Sequence, residues 1–174
     1  MMPNNRDSTS DSQRKSTLAP AVAALAAVML LAWTGVLSDA RSATSGQVWS
    51  DASSGFAIGG FDPIAYFTDR RAVEGSQDHE WEWHGVTWRF ANSGNLAAFR
   101  EHPEIYVPEF GGYGAITIAR GYTAPGNPRI WALRKDRLYL FYSVEDLWRW
   151  QEDPDKWIAL AERNWPKLRE SLPF

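Results

Sequence analysis

The sequence predicts an α+β fold: a small single domain of antiparallel hairpins with several short helices, two of them C-terminal, preceded by an apolar N-terminal helix. Three observations carry this. Residues 80–91 and 129–143 alternate apolar and polar side chains around turn residues, the pattern of hairpins. Asp, Asn or Ser repeatedly stands just ahead of apolar residues at helical spacing. Ahead of both, residues 18–37 form an uncharged run made mostly of Ala, Leu and Val.

That run comes first in chain order. At about 1.5 Å per residue it spans roughly 30 Å, the thickness of a bilayer's hydrocarbon core. Pro20 suits the first turn of a helix, where its missing N–H costs nothing. Residues 1–17 are a polar leader ending near the basic pair Arg14-Lys15, which favours a cytoplasmic N-terminus. The expectation is a membrane anchor over 18–37 with the rest of the chain on the extracytoplasmic, periplasmic side. The alternative is a signal sequence cleaved at Ser38-Asp39-Ala40, which would release the protein. Residues 38–54 are small and polar and read as a linker, so the domain is expected over 55–168 with a tail at 169–174.

Within the domain, Asp62-Pro63 starts a helical turn through Ile64, Ala65, Tyr66 and Phe67. In the first hairpin Trp81 and Trp83 face one side, with Glu80, Glu82 and His84 on the other and Gly85 as the turn. Asn92 or Ser93 caps a helix that His102-Pro103 ends. A strand is expected around Ala115–Ala119, then the second hairpin around the charged turn Arg134–Arg137. Ser143 and Asp146 form a capping box for the next helix. Asp153-Pro154 opens the last helix, which Pro166 is expected to stop. Trp148 and Trp150 are two apart on one helix, so one of them belongs near the surface. No internal repeat is evident.

Composition narrows the function. From Asp39 onward the domain holds more acidic than basic residues and no basic run, which disfavours nucleic acid as a partner. The absence of cysteine excludes disulfides, thiolate metal sites and cysteine nucleophiles. Ten Trp residues, nine of them after residue 48, can supply a core without such staples.

The run "FANSGNLAAFREHPEIYV" resembles the YHS domain, whose metal-binding members read Phe-Cys-Ser-x-x-Cys-x-x-x-Phe and then Asp-Pro-x-x-Tyr. Phe90, Phe99, Pro103 and Tyr106 match, while Ala91 and Asn95 stand at the two cysteine positions. Upstream, Ala65 of "DPIA" stands where those members carry a third cysteine. The segments "GGFDPIAYF", "FGGYGA", "LYLFYS" and "NWP" are similar, in the same order, to a longer exported branch of the family. Gly114 and Phe141 replace that branch's cysteine and asparagine. The resemblance implies a fold, and with the thiolates replaced it implies packing in place of metal.

The sequence contains no nucleophile elbow, phosphate loop or metalloprotease motif, so an enzyme is not expected, nor any cofactor. Asp62 is the carboxylate best placed for catalysis, yet its position before Pro63 makes it a helix cap first. The expectation is a membrane-tethered binding module that captures an envelope protein or small ligand. Its contacts would be Asp62, Tyr66, Trp88, Gly111, Gly112, Tyr113 and Tyr142: aromatic rings to stack and a Gly pair that lets a backbone come close. The alternative is an envelope protein handling copper or zinc through Glu82, His84 and His102.

Overall fold

The computed structural model describes residues 48–172; the expected leader, the run 18–37 and most of the linker lie outside them. Helix α1 (Ala65–Thr68) follows Asp62-Pro63, and the Asp62 carboxylate accepts the Ile64 amide at 2.8 Å. Strands β1 (Ser76–Trp83) and β2 (Val86–Phe90) pair antiparallel around His84-Gly85, both in the left-handed region that a tight two-residue turn needs. Asn92 caps helix α2 (Ser93–Glu101), accepting the Asn95 amide at 2.9 Å, and Pro103 opens the short α3 (Pro103–Tyr106). After α4 (Ala115–Ala119), strands β3 (Asn127–Arg134) and β4 (Arg137–Phe141) form the second hairpin around Lys135-Asp136. Ser143 and Asp153 cap α5 (Val144–Glu152) and α6 (Pro154–Glu170).

Several expectations need correction. Ala115–Ala119 is a helix and not a strand. All five of its residues are buried, Thr117 included, and a run buried all round carries no period to separate the two states. Its end carbonyls are satisfied by Asn164, whose side-chain amide donates to Ile118 O and Ala119 O at 3.1 and 2.9 Å. Pro166 does not stop α6, which runs on to Glu170. Trp165 is buried just before it, and Leu168 and Leu172 pack on the same cluster, so tertiary burial holds the helix past one missing amide bond. The tail assigned to 169–174 therefore begins inside a helix. The packed region also starts before Gly55: Val48 is buried and the Trp49 amide donates to Gly111 O at 2.7 Å.

The largest correction is that the chain builds the same arrangement twice. A 3₁₀ turn ending in Gly-Gly (Ile58–Gly60, then Glu109–Gly112) leads to a short helix, a hairpin, a capped helix and a Pro-headed helix. The two hairpins share one irregular register: Ser76 pairs with Phe90 and Glu80 with Arg89, as Asn127 pairs with Phe141 and Trp131 with Leu140. Their connections match bond for bond. Gly75 N donates to Gly60 O at 2.9 Å and Gly126 N to Gly112 O at 3.1 Å. Likewise Asp62 N donates to Val73 O at 2.8 Å and Gly114 N to Ala124 O at 2.9 Å. Even the unusual positive φ of Ile58 recurs at Phe110. The sequence hides the repeat because few of its identities survive, among them Gly59/Gly111, Gly75/Gly126, Leu96/Leu147 and Pro103/Pro154. What is kept is mainly backbone geometry.

The core has two clusters. One gathers Ile58, Tyr66, Trp88, Phe90 and Phe99 from the first repeat; the other gathers Ile116, Ile118, Trp150 and Trp165 from the second. Strand β4 serves both: Leu138 and Leu140 belong to the first cluster, Tyr139 and Phe141 to the second. Its counterpart β2 buries only Trp88 and Phe90, while Arg89 lies over the Phe56 ring at 3.6 Å and pairs with Glu80.

The glycines at the equivalent bonds test this architecture. A Cβ on Gly75 would sit 2.6 Å from the Arg89 carbonyl carbon, and one on Gly126 would sit 2.4 Å from Gly112 O. Gly75→Ala and Gly126→Ala should each cost about 1–3 kcal/mol in urea unfolding, the range of an overpacked site. Substitutions within about 0.5 kcal/mol of wild type would contradict the equivalence.

Candidate functional site

The centre of the first repeat is a fully buried carboxylate. Asp62 Oδ1 accepts the Ile64 amide, and Oδ2 accepts the Ala91 amide and the Asn95 side-chain amide, both at 2.7 Å. Asn95 stands on the first turn of α2 and Ala91 on the link from β2, so one side chain ties the start of α1 to the start of α2. The N-terminal ends of both helices, where free N–H groups and the positive end of the dipole lie, meet a negative charge. Ala91 and Asn95 are the two positions at which the YHS resemblance places cysteines. In this chain they donate hydrogen bonds to Asp62.

The other expected contact residues are occupied in similar ways. The Tyr66 hydroxyl donates to Pro128 O at 2.8 Å, and burial, helped by the nearby Asp62 charge, holds its phenol well above the usual range. The buried Trp88 donates through Nε1 to Trp83 O at 3.3 Å. Gly111 and Gly112 do admit a close backbone, and that backbone is the chain's own: their carbonyls accept the Trp49 and Gly126 amides. Tyr113 is half-buried with its ring 6.0 Å from that of Trp165, and burial raises its phenol pKa. Tyr142 alone is well exposed, at 59%. The seven residues are thus divided between core and surface.

The alternative metal set is also dispersed. Glu82 is exposed on β1, but His84 leaves the strand at the turn, where its ring packs edge-on against Trp83 with centroids 3.9 Å apart. The expected sharing of one strand face therefore does not occur. His102 sits between α2 and α3, 3.9 Å from Glu101 and 3.5 Å from Glu104. Among the described residues no three His, Cys, Asp or Glu side chains are grouped to hold a metal ion.

The second repeat changes the chemistry at the matching positions. Gly114 stands where Asp62 does, and Asp146 stands where Asn95 does. The carboxylate has moved to the first turn of the capped helix, where Arg120 reaches it at 3.3 Å. Ser143 Oγ accepts the Asp146 amide at 3.2 Å, one half of the expected capping box, while the Asp146 carboxylate turns to Arg120. Burial raises the Asp146 carboxyl pKa, with Arg120 pulling it back. Sequence reasoning missed Asn95 and Asp146 as partners. Each lies three residues after a cap, which is the only local signal they give.

One outer feature belongs to the second repeat alone. Val144 and Trp148 lie one turn apart on α5, just after Tyr142; Trp148 is 62% exposed and Val144 40%. The positions that answer to Tyr142, Val144 and Trp148 in the first repeat are Ala91, Ser93 and Ala97. No protein-family model matches this chain, and neither does a curated protein or a solved structure.

Asp62→Ala strands three donors and should cost about 3 kcal/mol or more, and Asn95→Ala about 1.5–3 kcal/mol, whereas the exposed Glu82→Ala should stay within about 0.5 kcal/mol. Urea melts of the three variants check the order. Asp146 carries a pKa above its ordinary 3.8, so the native state holds that proton more tightly than the unfolded chain does. The stability of wild type relative to Asp146→Asn should be greatest below the ordinary value, fall as pH rises through the raised one, and then level off. A difference that grows with pH would contradict burial as the controlling cause.

Proposed function

We propose that this protein is a non-enzymatic binding module of YHS type, held on the extracytoplasmic side of a membrane by residues 18–37. The observation that carries the reading is the outer face of α5. In two repeats with one backbone plan, the first tolerates Ala91, Ser93 and Ala97 where the second exposes Tyr142, Val144 and Trp148. The fold does not require those large apolar side chains, and their exposure on one repeat alone supports a contact surface there. Asp62 supports the same reading from the other direction. Its oxygens are committed to Ile64, Ala91 and Asn95, which favours a structural role over a catalytic one. The contact surface is accordingly placed on the second repeat, with Tyr142 retained from the expected set and the Gly-Gly region assigned to the fold.

A photoreactive residue tests this in intact cells. In place of Trp148 it should form adducts, and in place of Ala97 it should not. Equal adduct levels at the two positions would overturn the assignment of the surface.

A further inference from the structure

We propose that the Tyr142, Val144 and Trp148 face seats in the lipid–water interface of the bilayer to which the chain is tethered. The inference rests on the reading of residues 18–37 as membrane-inserted, and it names the partner of the surface just described.

Residue chemistry comes first. Trp and Tyr combine an apolar ring with one hydrogen-bonding group, which suits the headgroup level of a membrane. Val144 adds an apolar contact beside Trp148, and the exposed Tyr122 follows Arg120, whose grip on Asp146 holds that turn against the same end of α5. The matched face of the first repeat carries Ala91, Ser93, Ala97 and Arg71, so this chemistry belongs to one repeat only.

Size favours lipid over protein. The exposed parts of these side chains come to roughly 300 Å², given 150–250 Å² for a whole aromatic side chain. A stable protein interface needs about 800 Å² per partner. A patch this small holds weakly by itself, but a tether converts weak contact into an intramolecular event. The described residues begin at Val48, and residues 38–47 reach at most roughly 35 Å when fully extended. A bilayer that holds residue 37 would therefore keep Val48 within that reach and the domain at a high local concentration beside it. The domain's net negative charge offers no attraction to lipid, so the contact is apolar and on an uncharged bilayer should be insensitive to salt.

The test uses the full chain, whose lack of cysteine allows single nitroxide labels without background. Trp148→Cys, Ala97→Cys and Val28→Cys are labelled and reconstituted in phosphatidylcholine vesicles, and accessibility to oxygen and to a water-soluble nickel complex is measured. Val144→Cys serves as a second probe of the face should Trp148→Cys fold poorly. The expected result is an oxygen-to-nickel ratio several-fold higher at 148 than at 97, unchanged by salt, with 28 fully lipid-like. A lipid-like 28 with a water-like 148 overturns this proposal and leaves the tether standing. A position 148 shielded from both reagents means that protein covers the face, which also overturns it. A water-like 28 removes the tether and the proposal together.

Discussion

Strand β4 is the constraint on which the rest of this structure depends. Four of its five residues, Leu138–Phe141, are buried, and alternation along the strand sends Leu138 and Leu140 to one cluster and Tyr139 and Phe141 to the other. A strand packed on both faces has little room for polar groups, and "LYLF" carries one, the Tyr139 hydroxyl. Because β4 is covalently part of the second repeat but completes the core of the first, neither cluster is whole without it. The Tyr66 hydroxyl reinforces the join by donating to Pro128 O on β3.

This division explains why equivalent positions carry different chemistry. Where β2 turns Arg89 onto the ring of Phe56 in the N-terminal segment, β4 sends its equivalent, Leu140, into a hydrophobic core. Where the first repeat anchors its capped helix through Asp62 and Asn95, the second uses Asp146 and Arg120. The repeats share hydrogen-bonded turns and glycine contacts that tolerate no side chain, and those are what the backbone needs. Side chains that touch neither need have diverged, most visibly on the outer face of α5.

Local chemistry was legible in the residues. Asn92, Ser143 and Asp153-Pro154 announced three helix starts, and the alternating runs announced both hairpins, because caps and turns are decided within a few residues. Helix α4 was not legible, since a fully buried run has no polar face to betray its period. The Gly111-Gly112 pair reads as a place for a ligand's backbone to approach; the backbones that approach it are the chain's own, a matter of long-range contact. Asp62 could be read as a cap; its bonds to Ala91 and Asn95 could not, being contacts made across the fold. Tyr66 and Trp88, weighed as ligand contacts, are core, as aromatic rings at alternating or helical spacing usually are. The membrane reading concerns residues outside those described, and no helix among the described residues is long and apolar enough to cross a bilayer.

Native-state hydrogen exchange on wild type and Leu140→Ala tests the shared strand most directly. If β4 couples the two clusters, its amides exchange only through global opening. The substitution then lowers protection equally at Phe90 and Phe99 in the first repeat and at Ile118 and Trp150 in the second. Loss of protection confined to the first repeat, with the second unchanged, would show two independently stable halves and contradict the account.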